Sequence, residues 1–520
     1  MGMLPYLTET PNPSKKYNVT FRGLNMGEGA QDGEFAETYN LSSDKYPCIT
    51  QRAERVKCGT YENPNTVHNK EGLLVIHGTN VLYNGVNVGS VSSEGKKQTA
   101  TIGNYIVIFP DKKYINVSDK PIKVKDMEVT YTANGLKFTN ASITTTGKEF
   151  DFREGDGVKI SGCSVSGNNK TIIIRGISTD KKTLTFYENS FVDKTEADVE
   201  VTIKREIPNL EFICESNYRL WGTGKDENKN TIFSSKYSDP LNFFVNDNAE
   251  GDSYWIEVGS DGPFTGCIPY SSHICFFKEN VLHKLYGTKP SNFQIATANV
   301  YGVQSGCERS MHIVNEQLLY KGVDGIYSYT GGIPDLISEK FGTKRFSDAV
   351  ATCDGKRYYV SMKDGYGAWN LFVYDVAKNL WLREDDTQAV DMTFYDGTVY
   401  FLDGDGGLFY IDQNADRSNI EWSATFCTMH EAINERKVYS KFHLRMDLWA
   451  GSWVAVDIKT DNDTEWKQVY TTHNYNESRA KAITVPILPT RCDSIDIRLR
   501  GKGQCTVKTF IREFSTGSDV

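Results

Sequence analysis

The sequence predicts an all-β protein, and three observations lead there. Aromatic residues make up 12% of the chain, with 29 Tyr and 26 Phe, and such side chains suit a pleated, half-buried surface. Short apolar runs recur at roughly ten-residue spacing with Gly between them, which is the pattern of a sandwich, barrel or propeller. A whole turn-and-strand unit also repeats. In 317–333, QLLYKGVDGIYSYTGGI, the run Leu318-Leu319-Tyr320 is followed by the turn dipeptide Asp324-Gly325. The return strand Ile326–Tyr329 then leads into a second turn at Thr330-Gly331-Gly332. Gly is expected at such turns because it tolerates the positive φ of a tight hairpin. Similar units stand at Asp354-Gly355, Asp396-Gly397 and Gly406-Gly407, and upstream at 81–85 and 105–109. Repetition of the unit favours a propeller built from about five to seven blades.

Taken in order, residues 1–60 form an N-terminal lead. They read as a surface loop followed by one strand, or as the strand that closes the ring against the last blade. Closure removes sheet edges that would otherwise be exposed. Residues 61–125 form the first part of the propeller, with runs at Leu73–His77, Val81–Tyr83, Val86–Val88, Gln98–Ile102 and Tyr105–Phe109. Residues 126–206 change character: Thr, Lys, Asp and Glu become dense and the runs alternate strictly, as in Val129–Thr132, Thr183–Tyr187 and Asp198–Ile203. This predicts an inserted small β domain, barrel-like, with one wet face. Residues 207–418 resume the blades, without a helical pattern. Residues 419–520 predict a separate C-terminal β-sandwich. Within it Ile495, Ile497 and Leu499 share one face, and Asp496, Arg498 and Arg500 share the other. A charged face of that kind meets solvent or a wet interface.

The formal net charge is -9, from 58 Lys+Arg against 67 Asp+Glu. A general nucleic-acid binder carries a basic excess, so that class is disfavoured. The 11 Cys are scattered and form no C-x-x-C pair. Neither a disulfide framework nor a zinc cluster is expected, and most should be small buried hydrophobes. The N-terminal stretch MGMLPYLTETPNPSKK lacks the apolar core of a secretory signal and the myristoylation pattern. No apolar run approaches the 18 or so residues that span a bilayer, so no membrane partner is expected. Folding in a reducing cytoplasm, or export by a route the sequence does not show, follows.

Motifs that carry chemistry are sparse. Asp403-Gly404-Asp405-Gly406-Gly407 resembles part of a calcium loop but fails the EF-hand spacing at Gly407; a Gly-rich hairpin is the better reading. Asp461-Asn462-Asp463 reads as a solvated turn. His77 has no second ligand at metal spacing and reads as structural. Gly27-Glu28-Gly29 precedes no helix and so forms no phosphate cradle. The pair Asp385-Asp386 is acidic but is not by itself a catalytic dyad. Trp221, Trp255 and Trp381 read as core residues between sheets. No catalytic, cofactor-binding or metal-binding residue is assigned, no cofactor is expected, and the protein is expected not to be an enzyme.

Several strings together resemble a known family: NYRLWGTG (217–224), SSKYSDPLNF (234–243), FFKENVLHKLYGTKPSNF (276–293) and GVDGIYSYTGGIPDLIS (322–338). In this order they are similar to the β-propeller proteins of phage tails, in particular the tail-hub or portal-stabilisation proteins of short-tailed phages. PTRCDSIDIRLRGKG (489–503) resembles the β-sandwich that closes such chains. The resemblance covers about residues 20–125 and 207–515; the 126–206 insertion lies outside it. It implies a structural virion protein, assembled in the host cytoplasm. Six copies would form a ring that contacts the portal, the adaptor and other tail proteins. That ring would continue the DNA channel and retain the genome until ejection. DNA would be passing cargo only, and a ring that DNA slides through should not be strongly basic. The alternatives are a receptor-binding or baseplate protein that recognises host-surface glycan, and a hydrolase on a propeller scaffold.

Overall fold

The protein is described by a computed structural model over residues 13–245, 249–461 and 463–516. The expectations for the first twelve residues of the N-terminal stretch, and for Asn462 in the acidic turn, fall outside them. The described residues are strands, turns and five short 3-10 segments, without an α-helix, and none forms a helix long and apolar enough to cross a membrane.

The wheel is built from seven four-stranded antiparallel sheets in chain order. Blades 1 to 7 occupy 64–90, 98–126, 210–257, 266–298, 312–336, 346–385 and 389–412. The seventh has only three strands of its own, and Glu54–Thr60 supplies the fourth by pairing antiparallel with Gly407–Asp412. Each neighbouring pair of blades shares an apolar cluster. Phe276 and Trp221 join blades 3 and 4, and Val350 and Phe401 join blades 6 and 7. The last cluster sets Val67 and Val75 of blade 1 against Leu402 and Leu408 of blade 7, so the ring is closed. Strand alternation puts the first and third turns of every blade on one face of the wheel and the second turn on the other.

The turns divide into two kinds. At Asp396-Gly397 both residues take positive φ, 48° and 77°, and join Tyr395 to Thr398 as a two-residue hairpin. Asp324-Gly325 differs from expectation, because neither residue takes positive φ. Gly322 N–H instead donates to Gly325 O at 2.8 Å across a four-residue loop. Gly is needed at 325 because a Cβ there would run into Ser338 Oγ.

The inserted unit, 129–205, is not a closed barrel. A four-stranded sheet and a five-stranded sheet face each other across one core that includes Phe138, Ile143, Val158 and Ile203. Its edge strands, such as Thr171–Ile173 and Gly176–Ile177, are too short to complete a circular ladder. Arg205, at one end of the insertion, pairs with Asp156 of its core at 2.6 Å and donates to Met127 O, just ahead of the other end, at 2.8 Å. Arg153 reaches Asp239 of the blade 3 loop at 3.1 Å.

The sandwich is not made from 419–520 alone. Ser14–Asn18 and Ile49–Gln51 pair with the last strand, Cys505–Thr516, and Glu34–Tyr39 pairs with Glu421–Phe426. Phe21 and Phe35 enter its core beside Phe426, the Phe35 and Phe426 rings 4.8 Å apart. The lead therefore completes the sandwich first and the propeller second. Three of its strands, Gly23–Leu24, Leu41–Ser42 and Ile49–Gln51, are two or three residues long, which is why alternation does not reveal them. The strand Lys467–His473, mostly polar, was equally invisible to pattern.

Candidate functional site

A cleft of about 680 Å³ opens between blades 6 and 7. It is where the two acidic motifs meet, because Asp385 and Asp386 end the last strand of blade 6 while Asp403 and Asp405 flank the second turn of blade 7. Arg52 and Arg55 enter from the ring-closing strand and its approach, and Trp369, Phe401 and Phe409 supply apolar wall. The meeting is a consequence of ring closure, since the arginines lie over 300 residues from their partners in sequence.

Arg55 is the organiser. One terminal nitrogen pairs with Asp385 and the other with Glu384, both at 2.5 Å, and the first also donates to Thr387 Oγ1 at 2.8 Å. Its guanidinium lies 5.2 Å from the centre of the Phe401 ring. Burial opposes ionisation of Asp385, but Arg55 and Arg52 outweigh it and hold the carboxyl below the usual range. Burial likewise opposes the charge on Arg55, and Asp385 and Glu384 reverse the balance and raise its pKa. Arg52 goes the other way: burial and the neighbouring Arg55 lower it. This arrangement joins the closing strand to blade 6 and leaves Asp386 and Asp405 on an open polar cleft. It can hold a hydroxyl-rich or cationic group by hydrogen bonds. Asp403 is spent on its own hairpin, accepting Gly407 N–H at 2.6 Å. Among the described residues no three His, Cys, Asp or Glu side chains are placed to share a metal ion.

A second constellation closes one end of the wheel's axis. Arg309, just ahead of blade 5, reaches across to three other blades. It donates to Asn65 O and Val390 O at 2.8 Å, to Thr66 Oγ1 at 2.7 Å and to Lys97 O at 2.8 Å. Asp391 lies 3.7 Å away, and burial raises its pKa against the pull of Arg309. No motif in the sequence marks Arg309; its partners are mostly backbone oxygens, which carry no residue signature.

The other candidates fall as follows. His77 ends a strand of blade 1, where its Nδ1 lies 3.2 Å from Glu62 O and its ring packs beside Tyr61. Trp221 and Trp381 are core residues. Trp255 is not, being 57% exposed. It lies on the outermost strand of blade 3, where Tyr254 and Ile256 take the inward positions and alternation turns Trp255 out. All eleven Cys are free thiols; seven are buried, Cys48, Cys353 and Cys427 are half-buried, and Cys58 is exposed. Gly27-Glu28-Gly29 lines a groove beside the sandwich.

No family model matches the sequence, and no curated protein matches it. Among solved structures, the computationally designed Ika8 protein superposes with a TM-score of 0.35 and 11% identity, over 69% of this chain and 99% of its own. The phage phi92 endosialidase gives a TM-score of 0.26 and 10% identity, over 74% of each chain. The exo-beta-1,3-galactanase from Phanerochaete chrysosporium, solved with galactose, gives 0.24 and 9%, over 58% of this chain and 94% of its own. Superpositions this loose carry no argument about what the chain does.

Proposed function

We propose that the chain is a structural component of a phage tail, a hub- or nozzle-type subunit that assembles with copies of itself and with neighbouring tail proteins. The observation that supports this best is an aromatic patch on blade 3. Tyr218 and Tyr237 are 60% and 52% exposed, with ring centres 5.6 Å apart, and Trp255 of the same blade is also in solvent. Large aromatic side chains held in water are the usual anchors of protein interfaces. Tyr218 and Tyr237 also fall inside two of the strings that resemble the tail propellers.

Arg309 bridges the axis of a single wheel, so DNA in this reading runs through a channel formed between copies. The net charge of -9 suits such a channel, because tight phosphate contacts would slow passage. A head-to-tail interface between identical subunits makes a ring around such a channel when its rotation closes. Cryo-electron microscopy of purified particles tests the proposal: the chain is expected as a ring within the tail, and its absence from the tail would remove the idea. In solution, Trp255→Ser is expected to weaken self-assembly, measured by sedimentation velocity, with an unchanged melting temperature.

A further inference from the structure

The sandwich carries a second surface that the tail reading does not use. On the strand Ile495–Lys502 the side chains of Arg498 and Arg500 point away from the core. The register sets Asp457 opposite Arg498 and Ala455 opposite Arg500. One strand further out, Gln468 stands opposite Asp457 and His473 opposite Trp453. Asp457 is a carboxylate only 1% exposed. It accepts from Arg498 Nε and Nη2 at 3.0 and 2.7 Å, and from Arg500 Nε at 2.7 Å. Arg500 Nη2 also donates to Gln468 Oε1 at 2.6 Å. One carboxylate thus fixes two guanidiniums, and the group keeps a net positive charge. Neither Nη1 has a hydrogen-bond partner among the described residues.

Indole rings flank this pair. Arg498 and Lys459 lie 4.5 and 4.8 Å from the centre of the Trp466 ring, and Arg500 lies 5.7 Å from that of Trp453. Both rings are half-buried. They stand at opposite ends of the arginine pair, Trp466 beside Arg498 and Trp453 beside Arg500.

We propose that this face binds an acidic polysaccharide, with a sugar carboxylate on Arg498 and Arg500 and ring faces against Trp453 and Trp466. A guanidinium matches a carboxylate with two parallel N–H donors, and the prior anchoring by Asp457 removes much of the cost of ordering the side chains. An extended ligand with occasional charges fits one cationic pair between two separated aromatic surfaces. Nucleic acid, with a phosphate at every unit, calls for a denser row of cations than this acidic chain offers.

The test is affinity electrophoresis of the full chain at low salt through gels holding polygalacturonate, alginate or hyaluronate. Neutral dextran, poly-dT and polyglutamate serve as the other arms. Retardation by at least one acidic polysaccharide and none by dextran is expected. Trp466→Ala, which leaves Asp457 paired, should weaken it about tenfold, equivalent to 1.4 kcal/mol. Arg498→Lys keeps the charge and removes the fork, and should weaken it as well; unchanged melting temperatures show that both variants fold. The proposal is overturned if no acidic polysaccharide retards the chain, or if both variants bind as well as the parent. It is also overturned if poly-dT or polyglutamate binds more tightly than every polysaccharide. None of these outcomes bears on whether the chain sits in a tail.

Discussion

In the propeller, distant segments meet on Arg309, which gives its hydrogen bonds to three backbone carbonyls and a hydroxyl, with Asp391 at 3.7 Å. In the sandwich they meet on Arg512, whose fully buried guanidinium donates to Glu431 at 2.7 and 3.1 Å and to Asp32 at 2.8 Å. Burial works against Glu431, yet Arg512 and Lys16 hold its pKa below the usual range. The difference follows from how each region is assembled. Propeller blades form from hairpins close in sequence, so at the axis Arg309 only has to gather finished pieces, and neutral oxygens suffice there; an ion pair appears in the wheel where the distant closing strand joins it, at Arg55. The sandwich joins the two ends of the chain, and a buried ion pair specifies which strands belong together.

Removing each arginine should separate the two designs. Arg512→Met strands Glu431 in the core, leaving it the partly exposed Lys16 at 3.1 Å and the Tyr439 hydroxyl at 3.1 Å. Breaking a buried pair from one side costs about 3–5 kcal/mol, so urea unfolding should show the sandwich lost first, or the chain insoluble. Recovery by Arg512→Met with Glu431→Gln would support the ion-pair account; no recovery would point to lost packing. Arg309→Met leaves several acceptors without donors but no carboxylate at hydrogen-bond range, and about 2–4 kcal/mol is expected. A loss as large as that of Arg512→Met would contradict the contrast.

Acid distinguishes the regions in another way. His283 of blade 4 is held between Ser260 Oγ at 2.7 Å and Thr297 Oγ1 at 2.9 Å, a setting for a neutral ring. Burial, with a smaller push from Lys278, lowers its pKa to about 4; burial does the same for His68 and His312 of blades 1 and 5. The unfolded chain takes up these protons near pH 6.5 and the folded propeller does not. Stability therefore falls as pH drops from about 6.5 and levels off below about 4. For His283 the loss is on the order of 2 kcal/mol. Glu431 keeps its charge through most of that window, so the sandwich should outlast the propeller at pH 5. Denaturant midpoints at pH 7 and pH 5 check this. His283→Gln should flatten the pH dependence, and an equal slope in the variant would count against the assignment.

Much of the wheel was legible because its information is local. Asp396-Gly397 between aromatic runs specifies a hairpin without reference to the rest of the chain. Asp385-Asp386 and Asp403–Asp405 were also visible as acidic motifs. Their meeting in one cleft was not, because it depends on Glu54–Thr60 travelling around the ring to blade 7. Arg309 sits in an unremarked loop, Cys307-Glu308-Arg309-Ser310, and binds backbone. Trp255 looked like core because composition does not say which face of an edge strand is covered. The sandwich strands of the lead were missed since two- and three-residue strands, such as Leu41–Ser42 and Ile49–Gln51, show no period.

The smallest expected effect tests the two kinds of turn. At Gly397 the requirement is the backbone: φ is 77° and a Cβ would meet open space, so Gly397→Ala should cost about 1–2 kcal/mol through φ alone. At Gly325 φ is ordinary and the requirement is room. Ser338 Oγ, which a Cβ would displace, accepts Ile326 N–H at 2.8 Å and so holds the return strand. Gly325→Ala should cost about 1 kcal/mol by disturbing that bond. The cycle with Ser338→Ala tells the two apart. With the hydroxyl gone there is less to collide with, so Gly325→Ala should cost markedly less in the Ser338→Ala background than in the parent. Gly397→Ala, far from Ser338, should cost the same in both. If Gly325→Ala were additive with Ser338→Ala as well, the collision with the hydroxyl would not be what requires glycine at 325, and the crowding would fall to Leu336 Cδ1, which a Cβ would meet at 2.7 Å.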